Sequence, residues 1–362
     1  AALGLTGLIV AIPVFFDVAF ILLVPLLRTT SRRTGRPLIA FAIPLLAGLA
    51  VAHAFVPPTP GPVAVAGLLG ADLGRVIALG LLVGLPAMLV GGVFWGAWLA
   101  RQPDFQLEGA GGAAATAEAL AADLEARAQD AAEADRDAPR VGVGMALGLV
   151  ALPLAAILTA TVAGVTLEEG RLRSVLQLLG HPFSALLLTT LLASWLLARR
   201  CGWSRQAVEA MASASLKPVG LILLLTGAGG VLGKILLATG AGEVLARALA
   251  SSGLPLLLLA FVVAVSIRIA QGSATVSMVT AAGLLAPLLE PASPTPSQLA
   301  ALTLAIAAGA TAFSHVNDSG FWLVSRYLGL TERQTLRSWT VMTALVGFTG
   351  LALLMLLSPL LA

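Results

Sequence analysis

The sequence predicts an all-α polytopic membrane protein, built as two inverted-topology repeats with broken helices and a re-entrant hairpin. Three observations carry that expectation. Of 362 residues, 58% are hydrophobic and 11% charged, and mean hydropathy is +0.97, whereas a soluble chain carries about 25% charged residues. The apolar residues fall in long runs, many near the ~20 residues that one bilayer-spanning helix needs. The polar interruptions of those runs occur twice, in the same order and with opposite charge bias.

The first repeat covers residues 1–100. Its opening apolar run, 2–27, is interrupted at Phe15-Phe16-Asp17 and followed by a loop with Arg28, Arg32, Arg33 and Arg36. The run 37–55 closes near His53 and meets Val56-Pro57-Pro58-Thr59-Pro60-Gly61-Pro62. The run 62–70 is too short to span, which is the mark of a half-helix, and 74–100 closes the repeat. Residues 101–140 form a hydrophilic linker with nine acidic and four basic residues; its centre, 113–134, is rich in helix-forming Ala, Glu and Leu. Residues 141–206 hold two connecting spans, 141–164 and 183–199, with His181-Pro182 as a turn between them.

The second repeat covers 207–362. It begins with a re-entrant hairpin whose tip is Thr226-Gly227-Ala228-Gly229-Gly230. The run 254–289 is too long for one span and is interrupted at Arg268-Ile269-Ala270-Gln271-Gly272-Ser273-Ala274-Thr275. The run 299–325 contains Ser314-His315-Val316-Asn317-Asp318-Ser319-Gly320, and 338–361 closes the repeat. His315 thus reads as the counterpart of His53, and Leu328-Gly329 as that of Leu69-Gly70.

Charge sets the expected orientation, since cytoplasmic loops collect Lys and Arg. Loop 28–36 has four Arg, whereas its equivalent 290–298 has none. Turn 70–75 has one Arg, whereas 326–337 has Arg326, Arg333 and Arg337. The two copies therefore insert in opposite senses, with 101–140 and Arg199, Arg200 and Arg205 on the cytoplasmic side. The chain opens Ala1-Ala2-Leu3 without a Met, and the first repeat lacks a counterpart of the hairpin. Both features read as truncation at the N-terminus.

A charge in a mid-membrane run is costly, about 2.5 kcal/mol or more, and marks a substrate path or an ion pair. Arg268 reads either way, the structural alternative being a pair with Asp318. Gly272 permits unwinding, and Ser273 and Thr275 stand where a new half-helix would offer N–H groups to an anion. His315, Asn317 and Asp318 combine hydrogen-bonding and titratable groups suited to polyol binding and proton transfer. Should the backbone stay helical there, His315 and Asp318 share a face. Asp17 and His53 are further proton-carrier candidates from the first repeat, and Lys234 is either a counter-charge or a snorkelling cation.

Several classes are excluded. Gly227 to Lys234 imitates a phosphate loop, but Ile235 replaces the required hydroxyl residue and no strand precedes it. The three His and single Cys201 show no metal-ligand spacing, so no metal and no cofactor are expected. No nucleophile–base pair supports an enzyme. The +3 charge lies in short loops and does not signal nucleic acid.

The chain resembles the gluconate permease family, proton-coupled transporters of gluconate and related sugar acids. Phe15-Phe16-Asp17-Val18, His53 to Pro62, Gly229 to Lys234, Arg268 to Thr275 and above all Phe313-Ser314-His315-Val316-Asn317-Asp318-Ser319-Gly320-Phe321-Trp322-Leu323 carry the resemblance. Asp17 stands where the family usually has Glu, and Thr59 where it often has His. The resemblance implies a multi-pass protein of the bacterial inner membrane that takes up a gluconate-like organic anion with a proton. Arg268, Gly272, Ser273, Thr275, His315, Asn317 and Lys234 would bind substrate. Asp318, His315, Asp17 and His53 would serve proton coupling. The expected partners are that small anion, the proton and the lipid bilayer, with a homo-oligomer left open. The alternatives are a symporter for another small anion, such as a polar amino acid or dicarboxylate, and, further off, a channel or an intramembrane enzyme.

Overall fold

Long apolar segments become helices because lipid offers backbone N–H and C=O groups no partners, so they must pair within the segment. The computed structural model describes residues 1–12, 16–105, 142–213, 231, 235, 238–239, 253–289 and 294–361, and no strand occurs among them. The first repeat comprises α1 (Ala2–Ala11), α2 (Phe16–Thr34), α3 (Ile39–Phe55), α4 (Pro60–Leu69) and α5 (Leu73–Met88). A π-helical turn, Leu89–Phe94, joins α5 to α6 (Trp95–Leu99). The connecting region forms α7 (Val143–Thr166), α8 (Arg171–Leu179) and α9 (Pro182–Cys201). The second repeat contains α10 (Leu256–Gln271), α11 (Ala274–Leu289), α12 (Pro296–Thr311), α13 (Ser319–Leu328) and α14 (Glu332–Thr335). A π-helical turn, Leu336–Thr340, then leads into α15 (Val341–Leu357). Among the described residues, five stretches are long and apolar enough to cross a membrane: Ile39–Leu69, Leu73–Leu99, Gly144–Gly164, Phe183–Cys201 and Glu332–Leu360.

The segments 2–99 and 256–357 share an order of elements, with similar local detail. The half-helices α4 and α13 each have ten residues and end at a left-handed glycine, Gly70 (φ 70°) and Gly329 (φ 69°). The next helix in each is capped by a side-chain oxygen, from Asp72 to the Arg75 N–H and from Thr331 to the Gln334 N–H. The run 254–289 divides at Gly272-Ser273, where the sequence placed its interruption. The His53–His315 equivalence, however, does not hold. His53 lies inside the last turn of α3, whereas His315 lies in the non-helical segment between α12 and α13. That segment, 312–318, is longer than the 56–59 segment of the first repeat, so counting from the preceding helix and from the following one gives different partners.

The centre of the molecule is made of α3 and α12. Every residue of α12 from Ala300 to Thr311 is buried, as is nearly all of α3 from Ala42 to Phe55. Their alanines and glycines let neighbouring backbones approach closely, as membrane helices require. At Gly48 a Cβ would stand 2.0 Å from the Gly4 carbonyl oxygen of α1, and at Gly309 one would stand 2.4 Å from that of Phe261 in α10.

Contacts sort the loops into two ends. At one, Arg28 Nη2 donates to the Tyr327 carbonyl at 2.9 Å, Gln334 Nε2 donates to the Asp104 carbonyl at 2.8 Å, and Arg337 pairs with Asp104. At the other end of the α5–α6 rod, Arg75 Nη1 donates to Ser297 Oγ at 2.7 Å, and Thr295 Oγ1 donates to the Leu361 carbonyl at 3.0 Å. Between α7 and α9 the expected loop contains α8, in which Arg171, Arg173 and Gln177 share a short helix with exposed Leu172, Val175, Leu178 and Leu179. Such amphipathic pieces suit the membrane interface. Phe15, the expected helix 113–134, the hairpin tip and Lys234 lie outside the described residues.

Candidate functional site

The helix breaks of both repeats converge on one cavity of about 420 Å³. Its wall takes Phe16 and Asp17 from the start of α2, and Ala50, His53 and Ala54 from the end of α3. The second repeat contributes Arg268 and Gln271 to Thr275 across the α10–α11 break, and Thr311 and Asn317 to Gly320 across the α12–α13 break. Trp339 and Thr343 complete it. From Pro296 to Thr311, at 1.5 Å per residue, α12 carries the chain about 24 Å inward, and α13 continues about 15 Å to the other end. The cavity therefore lies deep between the two ends. First-turn residues of α2, α11 and α13 all line it, which brings helix N-termini, with their free N–H groups, to one place.

Arg268 is the cation of this cavity, with a side chain only 4% exposed. It lies in the last turn of α10, and its Nη1 donates to the Gly272 carbonyl just beyond the helix end. Its Nη2 pairs with Asp318 Oδ2, while Nε is buried without a partner. Gly272 stops the helix in a left-handed conformation (φ 84°), and its N–H donates to the Arg268 carbonyl at 2.9 Å. A Cβ at Gly272 would stand 2.1 Å from the Asn317 carbonyl oxygen, so only glycine lets the two breaks meet. Asn317 locks them, its Nδ2 donating to the Ile269 carbonyl at 2.8 Å. At the start of α11, Ser273 Oγ accepts from the Val276 N–H at 3.4 Å.

Asp318 accepts from three donors, one of them its salt-bridge partner. It is the N-cap of α13, accepting from the Gly320 N–H at 3.1 Å, and it also accepts from Ser314 Oγ and from Arg268. Ser314 Oγ in turn accepts from Trp339 Nε1 at 2.6 Å. The Ser314 carbonyl accepts from Thr340 Oγ1, and its N–H donates to Thr343 Oγ1 at 3.2 Å. The π-helical turn at Leu336–Thr340 thus holds the break through Trp339 and Thr340; extra residues in a helical turn re-aim side chains in this way.

The first repeat supplies the facing wall. Asp17 stands in the first turn of α2 with no hydrogen bond or ion pair among the described residues, and the Phe16 ring packs on Trp339 at 5.3 Å. His53 Nδ1 is buried and unpartnered. Thr59 turns its hydroxyl away from α4, donating to the Val56 carbonyl at 2.9 Å.

Of the residues singled out in the sequence, Arg268, Gly272, Ser273, Thr275, Asn317, Asp318, Asp17 and His53 line this one cavity. His315 does not line it: the chain from Ala312 to Asp318 is not helical, so the shared helical face expected for His315 and Asp318 does not form. Lys234 lies outside the described residues. Sequence reasoning missed Gln271, Thr311, Trp339 and Thr343. The only sign of the last two was a run of polar residues, Ser338, Thr340 and Thr343, at the start of an otherwise apolar span.

The family profile described as GntP family permease matches residues 1–360. The low-affinity gluconate transporter of Escherichia coli K12 is 37% identical over 356 residues, covering 96% of this chain and 74% of the relative. A gluconate permease of Pseudomonas aeruginosa is 37% identical over 359 residues, covering 98% and 75%. The Gnt-II system L-idonate transporter of Escherichia coli K12 is 32% identical over 351 residues, covering 97% and 75%. A profile match over almost the whole length, with relatives this similar across it, means that the chain belongs to the GntP family of permeases.

Proposed function

We propose that the protein takes up gluconate or a closely related sugar acid, together with protons, across the bacterial inner membrane. The observation that carries this reading is the buried Arg268–Asp318 pair in a cavity where helix breaks of both repeats meet. The names of relatives as gluconate and idonate transporters agree with the substrate class.

The pair is neutral as a unit, so Arg268 alone offers an incoming carboxylate little net attraction. A proton on Asp318 changes this: the aspartate becomes neutral, and the guanidinium is left to a carboxylate from outside. Proton and anion then enter together and leave the charge at depth unchanged, the least costly arrangement where unpaired charge is expensive. The α11 N-terminus and Ser273 add N–H and hydroxyl groups at the same wall, and Thr275 and Asn317 offer polar atoms to the polyol chain. Among the proton candidates this reading favours Asp318 over His315, which is off the cavity; Asp17, on its wall, is next. Substrate access from alternate sides follows from two copies inserted in opposite senses, and the loop contacts at the two ends support that arrangement.

The test is uptake in proteoliposomes under an imposed proton gradient. The wild type should accumulate gluconate and collapse the gradient in proportion. Asp318→Asn imitates the protonated aspartate and keeps an oxygen for the α13 cap. It should retain gluconate exchange but lose accumulation. Arg268→Ala should lose both. Accumulation by Asp318→Asn would move the proton to Asp17, and uptake of another organic anion without any aldonate would change the substrate.

A further inference from the structure

His53 is placed differently from the charged cluster. It comes from the first repeat, in the last turn of α3, and reaches the cavity from the wall opposite in sequence to Arg268. Its Nδ1 is buried without a partner. Its Nε2 is not among the buried unpartnered atoms and makes no hydrogen bond with a described residue, so Nε2 is the nitrogen open to the cavity.

One nitrogen of a neutral imidazole carries a hydrogen and the other a lone pair. A buried N–H without a partner is rarer than a buried acceptor without one. The enclosed Nδ1 is therefore best left as the lone pair, which puts the hydrogen on Nε2. The cavity then meets an N–H donor from the first repeat, while Arg268 reaches it from the second.

We propose that His53 is a substrate-binding residue: its Nε2–H donates to an oxygen of the bound sugar acid, and it does not carry the transported proton. The inference rests on the transport reading above. With the carboxylate at Arg268, the oxygen that suits His53 is a chain hydroxyl, so this residue selects for a hydroxylated acid. Both repeats then hold one substrate molecule.

Glutamine places its amide nitrogen near the position of Nε2, and asparagine near that of Nδ1, which gives a paired test. In gluconate binding and uptake by the full chain, His53→Gln should stay within about threefold of wild type and still accumulate substrate. His53→Asn and His53→Ala should bind about tenfold or more weakly, the loss expected when a polar group of the substrate is left unpaired. Exchange without accumulation in His53→Gln would make His53 the proton carrier and overturn the proposal. Wild-type binding by His53→Ala would overturn it too. Should the variants not fold, ¹⁵N-histidine spectra of the wild type, assigned with His181 and His315 variants, decide the tautomer. A hydrogen on Nε2 is expected, and one on Nδ1 overturns the assignment. A wild type that moves no sugar acid would sink the transport reading instead, and the tautomer signal would still test His53.

Discussion

Ser314 shows how much of the site depends on residues that never touch a ligand. Its hydroxyl accepts from Trp339 Nε1 and donates to Asp318, and its backbone is held by Thr340 and Thr343. Removing the hydroxyl in Ser314→Ala leaves the Trp339 N–H buried without an acceptor. We expect a loss of about 1–3 kcal/mol in stability, the cost of one orphaned donor. Trp339→Phe added to Ser314→Ala should recover part of that loss, because the orphan is gone. Thermal unfolding of the four proteins in detergent measures the coupling, and strictly additive losses would break the chain Trp339–Ser314–Asp318. The polar motifs in the sequence located Asp318 and Arg268, because charges inside apolar runs stand out. They did not locate Trp339, since an aromatic residue in an apolar span carries no such signal and its approach depends on a π-helical turn.

At the scale of elements, the decisive feature is that helices stop inside the protein. Sequence length alone exposed two of these stops: 254–289 was too long and 62–70 too short for one span. The glycine at 272 and the half-helix α4 followed from the same reasoning, whereas α13 lay hidden inside the run 299–325, which was read as one segment. The register of the breaks was less legible, because His53 and His315 look equivalent in sequence but the second break is longer. Helix α8 was also missed, since a short amphipathic stretch with Arg at its start reads as a loop between spans. Gly272→Ala tests how tightly the breaks are locked. The substitution meets both a left-handed backbone and the Asn317 carbonyl at 2.1 Å. Gly35→Ala, with a similar φ of 63° and nothing within 4 Å, controls for the backbone alone. Gly35→Ala should cost about 1–2 kcal/mol, whereas Gly272→Ala should cost clearly more and abolish gluconate binding. Equal stability loss in the two would mean that the breaks do not depend on this contact.

For the whole molecule, charge and contacts make one joint prediction. Four Arg in 28–36 and three in 326–337 mark both loops as cytoplasmic. These loops belong to different repeats at non-equivalent positions, yet Arg28 bonds Tyr327, and Asp104 bonds Gln334 and pairs with Arg337. The poorly charged loop 294–298 instead meets Arg75 and Leu361, which lies just beyond α15. Since the end of α2 and the equivalent end of α11 go to opposite ends of the molecule, the copies must face opposite ways if the bundle crosses the bilayer once along its length. Replacing Cys201, the only cysteine in the sequence, gives a background for single cysteines at exposed positions 33, 295 and 333. An impermeant thiol reagent added to right-side-out vesicles should label 295 and leave 33 and 333 untouched. Inside-out vesicles should reverse the pattern. Labelling of 33 and 295 from the same side would refute the inverted arrangement, and with it the idea that one cavity is opened alternately by two oppositely oriented copies.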